Sequence, residues 1–145
     1  MPTTTKEPVK LCELQYPLCM AVGGKLERGF RFKDKDKQII NLSGYEAIIQ
    51  IREKLNNPIP MITLDSREVS PFGSTLEILP DEGTILMKIH NNETEEWIDI
   101  SKEKGCFWDL RLIEPSGAAT VYFRASPFTL QPVSTRKTPE IVIEP

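Results

Sequence analysis

The chain has 145 residues, 39% hydrophobic and 27% charged, with a formal net charge of −3, a size and balance that predict one globular domain. Its Lys and Arg form no basic cluster, which argues against nucleic acid as a partner, because phosphate binding depends on concentrated cations. No apolar run approaches the ~18 residues of a membrane-spanning helix, and the stretch Met1-Pro2-Thr3-Thr4-Thr5-Lys6-Glu7-Pro8 lacks the apolar segment of a signal peptide, so a soluble, unexported protein with no membrane partner is expected.

Residues 1–9, polar and carrying Pro2 and Pro8, read as an N-terminal arm. Cys12, Leu14 and Tyr16 then alternate as a short strand that Pro17 confines to an edge or an end. Leu18 to Val22 is apolar and closes at Gly23-Gly24. Phe30 and Phe32 alternate with Arg31 and Lys33 before the turn-rich Asp34-Lys35-Asp36-Lys37, and Ile39-Ile40 leads on, so the local pattern predicts a hairpin from about Phe30 to Ile51. Its second arm is the central strand. There Tyr45, Ala47, Ile49 and Ile51 point one way and Glu46, Ile48, Gln50 and Arg52 the other, with Ser43-Gly44 turning the chain into it. Ile48 interrupts the polar face, which predicts partial cover there by a second element or a neighbouring subunit.

Asn56-Asn57-Pro58 and Pro60 mark a loop, and Met61-Ile62-Thr63-Leu64 a brief strand. Thr75 to Leu79 and Thr84 to His90 flank the turn Pro80-Asp81-Glu82-Gly83 as a second hairpin, with Ile85, Met87 and Ile89 on one face. After Trp97-Ile98-Asp99-Ile100, a single helical turn fits residues 101–105. A third hairpin joins Cys106–Ile113 to Ala118–Ser126 through Glu114-Pro115-Ser116-Gly117. Cys106, Trp108, Leu110 and Leu112 share a face of its first strand, and Ala119, Val121, Phe123 and Ala125 a face of its second. Phe128 and Leu130 allow a last strand.

Short strands with a turn signal about every ten residues predict an all-β protein, a two-layer antiparallel immunoglobulin-like β-sandwich over residues 10–133. Its expected core is Phe30, Phe32, Leu42, the alternating set from Tyr45 to Ile51, Ile78, Ile85, Met87, Ile89, Trp108, Leu110, Leu112, Val121 and Phe123. Residues 134–145, with Pro139 and Pro145, form a Pro-rich C-terminal arm.

Little in the sequence points to chemistry. Cys12, Cys19 and Cys106 include no Cys-x-x-Cys pair and read as buried reduced thiols, although Cys12 and Cys19 could pair if strands brought them together. His90 is the single histidine, so no two-histidine metal site exists, and a Ser-His-Asp relay would have to be built around that one ring. No Gly-x-Ser-x-Gly elbow or complete phosphate-binding loop accompanies it. The densest carboxylate groups, Asp34 with Asp36 and Glu93 with Glu95 and Glu96, read as solvated loops, with weak calcium binding the other use open to them. We therefore expect no enzyme, no catalytic residue, no metal ligand and no cofactor. Candidate partner-docking residues are Trp97, Phe107 and Tyr122, and the apolar triplet Ile141-Val142-Ile143, which has the composition to add as a strand to an exposed sheet edge or to form a last strand of its own domain.

Taken in order, several stretches resemble a known family. Gly29-Phe30-Arg31-Phe32, then Ile40-Asn41-Leu42-Ser43-Gly44-Tyr45 running into Ile49-Gln50-Ile51-Arg52, is similar to the N-terminal immunoglobulin-like domain of phage baseplate upper proteins and to many small phage structural proteins. Gly83-Thr84-Ile85-Leu86-Met87, Gly105-Cys106-Phe107-Trp108-Asp109-Leu110 and Pro115-Ser116-Gly117 continue the likeness, which spans about residues 29–133. Asp36-Lys37 stands where the family has a turn glycine, Trp108 where it has a smaller aromatic, and the C-terminal arm where a fibre or receptor-binding region often follows. The resemblance implies a virion structural protein of the tail, baseplate or tail-fibre attachment region, homo-oligomeric and assembled in the host cytoplasm, that docks other phage structural proteins and carries no reaction. A capsid decoration or cement protein is the nearest alternative. A carbohydrate-binding module and a small hydrolase using His90 are the others.

Overall fold

The computed structural model describes residues 15–133. Eight strands run in chain order: β1 (Leu18–Ala21), β2 (Leu26–Arg31), β3 (Glu46–Arg52), β4 (Ile62–Asp65), β5 (Thr75–Leu79), β6 (Thr84–Ile89), β7 (Lys104–Ile113) and β8 (Ala119–Gln131). They form a five-stranded sheet ordered β1-β8-β7-β3-β4 and a three-stranded sheet ordered β2-β6-β5. The protein is an all-β sandwich. Every ladder is antiparallel except that of β1 with β8, which is parallel, Leu18 lying opposite Phe128 and Ala21 opposite Gln131.

The sandwich closes because one face of each sheet is mainly apolar at alternate residues, exposed Arg28 between buried Leu26 and Phe30 of β2 being an exception. Ala47, Ile49 and Ile51 of β3 are buried, as are Cys106, Trp108, Leu110 and Leu112 of β7 and Ile85, Met87 and Ile89 of β6. Phe32, Tyr45 and Ile78, expected in the core, pack against it while remaining partly exposed. The outer strands complete it with Leu18, Met20, Ile62, Leu64, Leu76, Phe128 and Leu130.

Two of the three expected hairpins are present, β5–β6 around Pro80–Glu82 and β7–β8 around residues 114–118. The one expected from Phe30 to Ile51 is not. β2 pairs with β6 in one sheet and β3 with β4 and β7 in the other, so the chain between them crosses the sandwich. Only the turn of that hairpin survives, as an isolated bridge between Lys33 and Ile39, with Asp34 Oδ1 accepting the amides of Asp36 and Gln38 at 2.9 Å. Buried Leu42 then carries the crossing inward, and Ile39 stays 46% exposed. Lys37 holds φ at 62°, the left-handed region that favours glycine. Lys37→Gly is therefore expected to raise the unfolding free energy by about 0.5–1 kcal/mol, read as a higher urea midpoint at unchanged slope.

A second correction concerns β8. Trp108 lies opposite Ser126 and Leu110 opposite Tyr122, so Phe123, Arg124 and Ala125 together face the single residue Asp109. This bulge holds Phe123 and Ala125 at φ 59° and 57° and turns the Phe123 ring inward, 5.2 Å from that of Trp108. Ahead of the bulge, Ala119 and Val121 point outward, Val121 being 40% exposed; Tyr122, on the other parity, is paired with buried Leu110. Val121 is thus no core residue.

Tyr16 closes one open side of the sandwich. Its ring stands edge-on to Phe30, Phe123 and Trp108 at 5.3, 5.6 and 6.4 Å, its carbonyl accepts the Trp108 indole N–H at 2.8 Å, and its amide donates to Ser126 Oγ at 2.9 Å. Cys106 is buried as expected, but Cys19 is exposed on edge strand β1. Cys12 lies outside the described residues, and so do both arms. The helical turn expected at 101–105 does not form there, since β7 already begins at Lys104; short 3-10 turns occur instead at Asn91–Glu93 and Glu95–Trp97.

Candidate functional site

The side of the sandwich opposite Tyr16 is open. There the start of β3 and the segment after β4 face β5, the outer strand of the smaller sheet, across a groove of about 650 Å³. Tyr45, Leu76, Ile78 and Val69 give it apolar walls, and Glu46, Glu68 and Glu77 with Arg67 and Lys88 a charged rim. Beyond its ladder with β6, Thr75–Leu79 receives no backbone hydrogen bond from any described residue, so β5 presents a bare edge.

A polar frame fixes the groove's outer wall. Ser66 Oγ accepts the Ala47 amide at 2.9 Å, and the Ser66 amide donates to the Ala47 carbonyl at 2.9 Å. Arg67 donates from Nε and Nη2 to the two Asp65 oxygens at 3.0 and 2.8 Å, and Glu46 lies 3.5 Å from its Nη1. This guanidinium holds the Asp65 carboxyl below the usual carboxylate range and is itself made more basic. Further along the connection, the Ser70 hydroxyl donates to Glu93, and Ser74 Oγ accepts the His90 amide at 2.8 Å. Glu93 is only 7% exposed, so this carboxylate belongs to a buried tie between the β4–β5 connection and the turn after β6, not to a solvated loop. The frame leaves Val69 and Phe72 outward, 64% and 53% exposed.

The expected docking aromatics are not neighbours on one face. Trp97 is half-buried in a 3-10 turn before β7, with Lys104 Nζ 5.9 Å from its ring centroid. Phe107 lies half-buried on the outer face of β7, opposite Arg52 and Pro127. Tyr122 packs edge-on to Phe32 at 5.1 Å, on the parity that faces the core. Ile141, Val142 and Ile143 lie outside the described residues. The groove itself escaped the sequence, because its walls come from three separated segments, though Val69 and Phe72 in a loop read as charged and turn-rich were a visible signal.

His90 is exposed, and its Nδ1 accepts the Asn92 amide at 3.1 Å, capping the turn that follows β6. Asp34 is likewise occupied by its own turn. Among the described residues, no three His, Cys, Asp or Glu side chains gather as metal ligands.

One titratable group stands out on the outer face of the larger sheet. Burial opposite the β8 bulge raises the Asp109 carboxyl, against the pull of Arg52 and Arg124. Because the folded chain holds this proton more tightly than the unfolded one, the group adds stability as pH falls through its raised folded value towards the ordinary range, and costs stability above it. Asp109→Asn is expected to raise the urea midpoint at pH 7, with the gain shrinking as the wild-type carboxyl protonates; midpoints measured from pH 7 down to pH 3 check this.

Compared with known proteins, the chain matches no family model and no curated protein.

Proposed function

We propose that this chain is a non-catalytic docking and assembly module of a bacteriophage virion, in the tail, baseplate or tail-fibre attachment region, built on an immunoglobulin-like sandwich. The observation that carries this reading is where the family-like motifs fall. Leu42-Ser43-Gly44-Tyr45 and Pro115-Ser116-Gly117 lie far apart in sequence, yet a Cβ on Gly44, whose φ is 80°, would stand 3.0 Å from Pro115 Cγ. The two turns form one packed unit, so the short motifs behave as parts of a single design. Strand order supports the fold assignment. β2-β6-β5 follows the B-E-D order of immunoglobulin domains, and β8-β7-β3-β4 the G-F-C order with a C′ strand added. A bare edge at β5 and an open groove beside it suit a module that works by lateral contact.

The test is mass spectrometry of gradient-purified particles after separating heads from tails. The chain is expected in the tail fraction at a fixed ratio to the tail proteins. Its absence from particles overturns the virion reading, and its presence in heads replaces the tail position with capsid decoration.

A further inference from the structure

We propose that the outer face of the larger sheet binds a neutral sugar, its ring lying on Phe107 and its hydroxyls held by Asp109, Arg124, Arg52 and Gln50. The register brings these side chains together. On β3, Arg52 lies opposite Phe107 and Gln50 opposite Asp109, while on the other side of β7 the β8 bulge faces Asp109 and carries Arg124. Phe107 and Asp109 stand two residues apart on one strand, so they share a face at a spacing of about 7 Å, which one sugar ring spans.

Two observations mark the cluster as incomplete. Asp109 is half-buried, yet its carboxylate accepts no hydrogen bond from any described residue, and Arg124 beside it donates none. Polar groups withdrawn from water ordinarily find partners. The second observation is strain. Continued straight from Ser126, the alternation of β8 would turn Arg124 inward opposite Leu110; the left-handed angles of Phe123 and Ala125 instead leave it exposed, within electrostatic reach of Asp109. At neutral pH the fold would be more stable without this carboxylate, and groups that cost stability gather where they serve binding.

The signs of the charges select the ligand. An anion drawn to the two guanidinium groups would meet the Asp109 carboxylate between them, and a cation drawn to Asp109 would meet the two arginines. A sugar hydroxyl both donates and accepts. Neighbouring hydroxyls can therefore give a hydrogen to Asp109 and take one from Arg124 together. Gln50 Oε1 accepts Arg52 Nη2 at 2.6 Å, which leaves the Gln50 amide N–H groups to donate outward. Arg52 is also tied to the Asn57 carbonyl at 2.8 Å, so this side of the site is preorganised. Phe107 supplies the apolar surface that the C–H face of the ring needs.

An array of neutral oligosaccharides built from hexoses, deoxyhexoses and N-acetylhexosamines, probed with the labelled full-length chain, tests this. Binding to one class is expected. Titration of that oligosaccharide is expected to show affinity at least ~10-fold weaker for each of Phe107→Ala, Asp109→Ala and Arg124→Ala. Arg124 is exposed, so its truncation spares the core, and Lys88→Ala on the smaller sheet is expected to bind as the unchanged chain does. No binding across the array, binding indifferent to Phe107→Ala and Arg124→Ala, or equal weakening by Lys88→Ala overturns the proposal. The virion reading is decided separately, by the particle fractions.

Discussion

Trp108→Ala is expected to remove about 3–5 kcal/mol of unfolding free energy. The indole is 1% exposed, sits within 5.5 Å of the Phe30 and Phe123 rings, and donates its N–H to the Tyr16 carbonyl. Truncation opens a cavity at the centre of the aromatic group and releases the segment that closes one side of the sandwich. For a domain whose total stability is about 5–15 kcal/mol, that leaves a marginal fold. Trp108→Phe keeps most of the packing and loses the hydrogen bond, and about 1–2 kcal/mol is expected for it. Urea melts followed by circular dichroism measure both; equal losses for the two variants would show that the indole volume is not what matters.

Gly83→Ala is expected to cost about 3 kcal/mol or more. Gly83 ends the β5–β6 turn at φ 57°, where any side chain costs about 1–2 kcal/mol. A Cβ there would also stand 2.7 Å from both Ile39 Cγ2 and the Ile40 carbonyl oxygen and 3.0 Å from the Phe32 carbonyl oxygen, and backbone oxygens cannot swing aside. Gly117 isolates the two contributions. It holds φ at 92° with nothing within 4 Å of a would-be Cβ, so Gly117→Ala is expected to show the backbone cost alone. Similar urea midpoints for the two variants would refute the steric account.

The same two glycines show what a sequence can announce. Pro80 to Gly83 and Glu114 to Gly117 are turns whose residues state their own backbone angles, and both hairpins lie where those residues put them. Asp34 to Lys37 announced a turn equally clearly, and the turn exists. What local pattern could not say is that the strands on either side go to different sheets, because that depends on Leu42 finding a place between the layers. The β8 bulge was hidden for a related reason. Left-handed angles at Phe123 and Ala125 carry no glycine to mark them, so alternation read straight through assigned Val121 inward. The groove depends on tertiary pairing in the same way, and Trp97, Phe107 and Tyr122 were separated by strand parity and by loop position, which aromatic composition does not encode.

The parallel pairing of β1 with β8 sets an order of events during synthesis. Tyr16 and Ser126 are hydrogen-bonded across 110 residues, so β1 lacks its β8 partner until nearly all of the described residues have left the ribosome. Contacts this distant slow the final docking step and leave Leu18 and Met20 exposed to other nascent chains in the meantime. Closing the larger sheet with β1 beside β8 therefore postpones its completion to the end of synthesis.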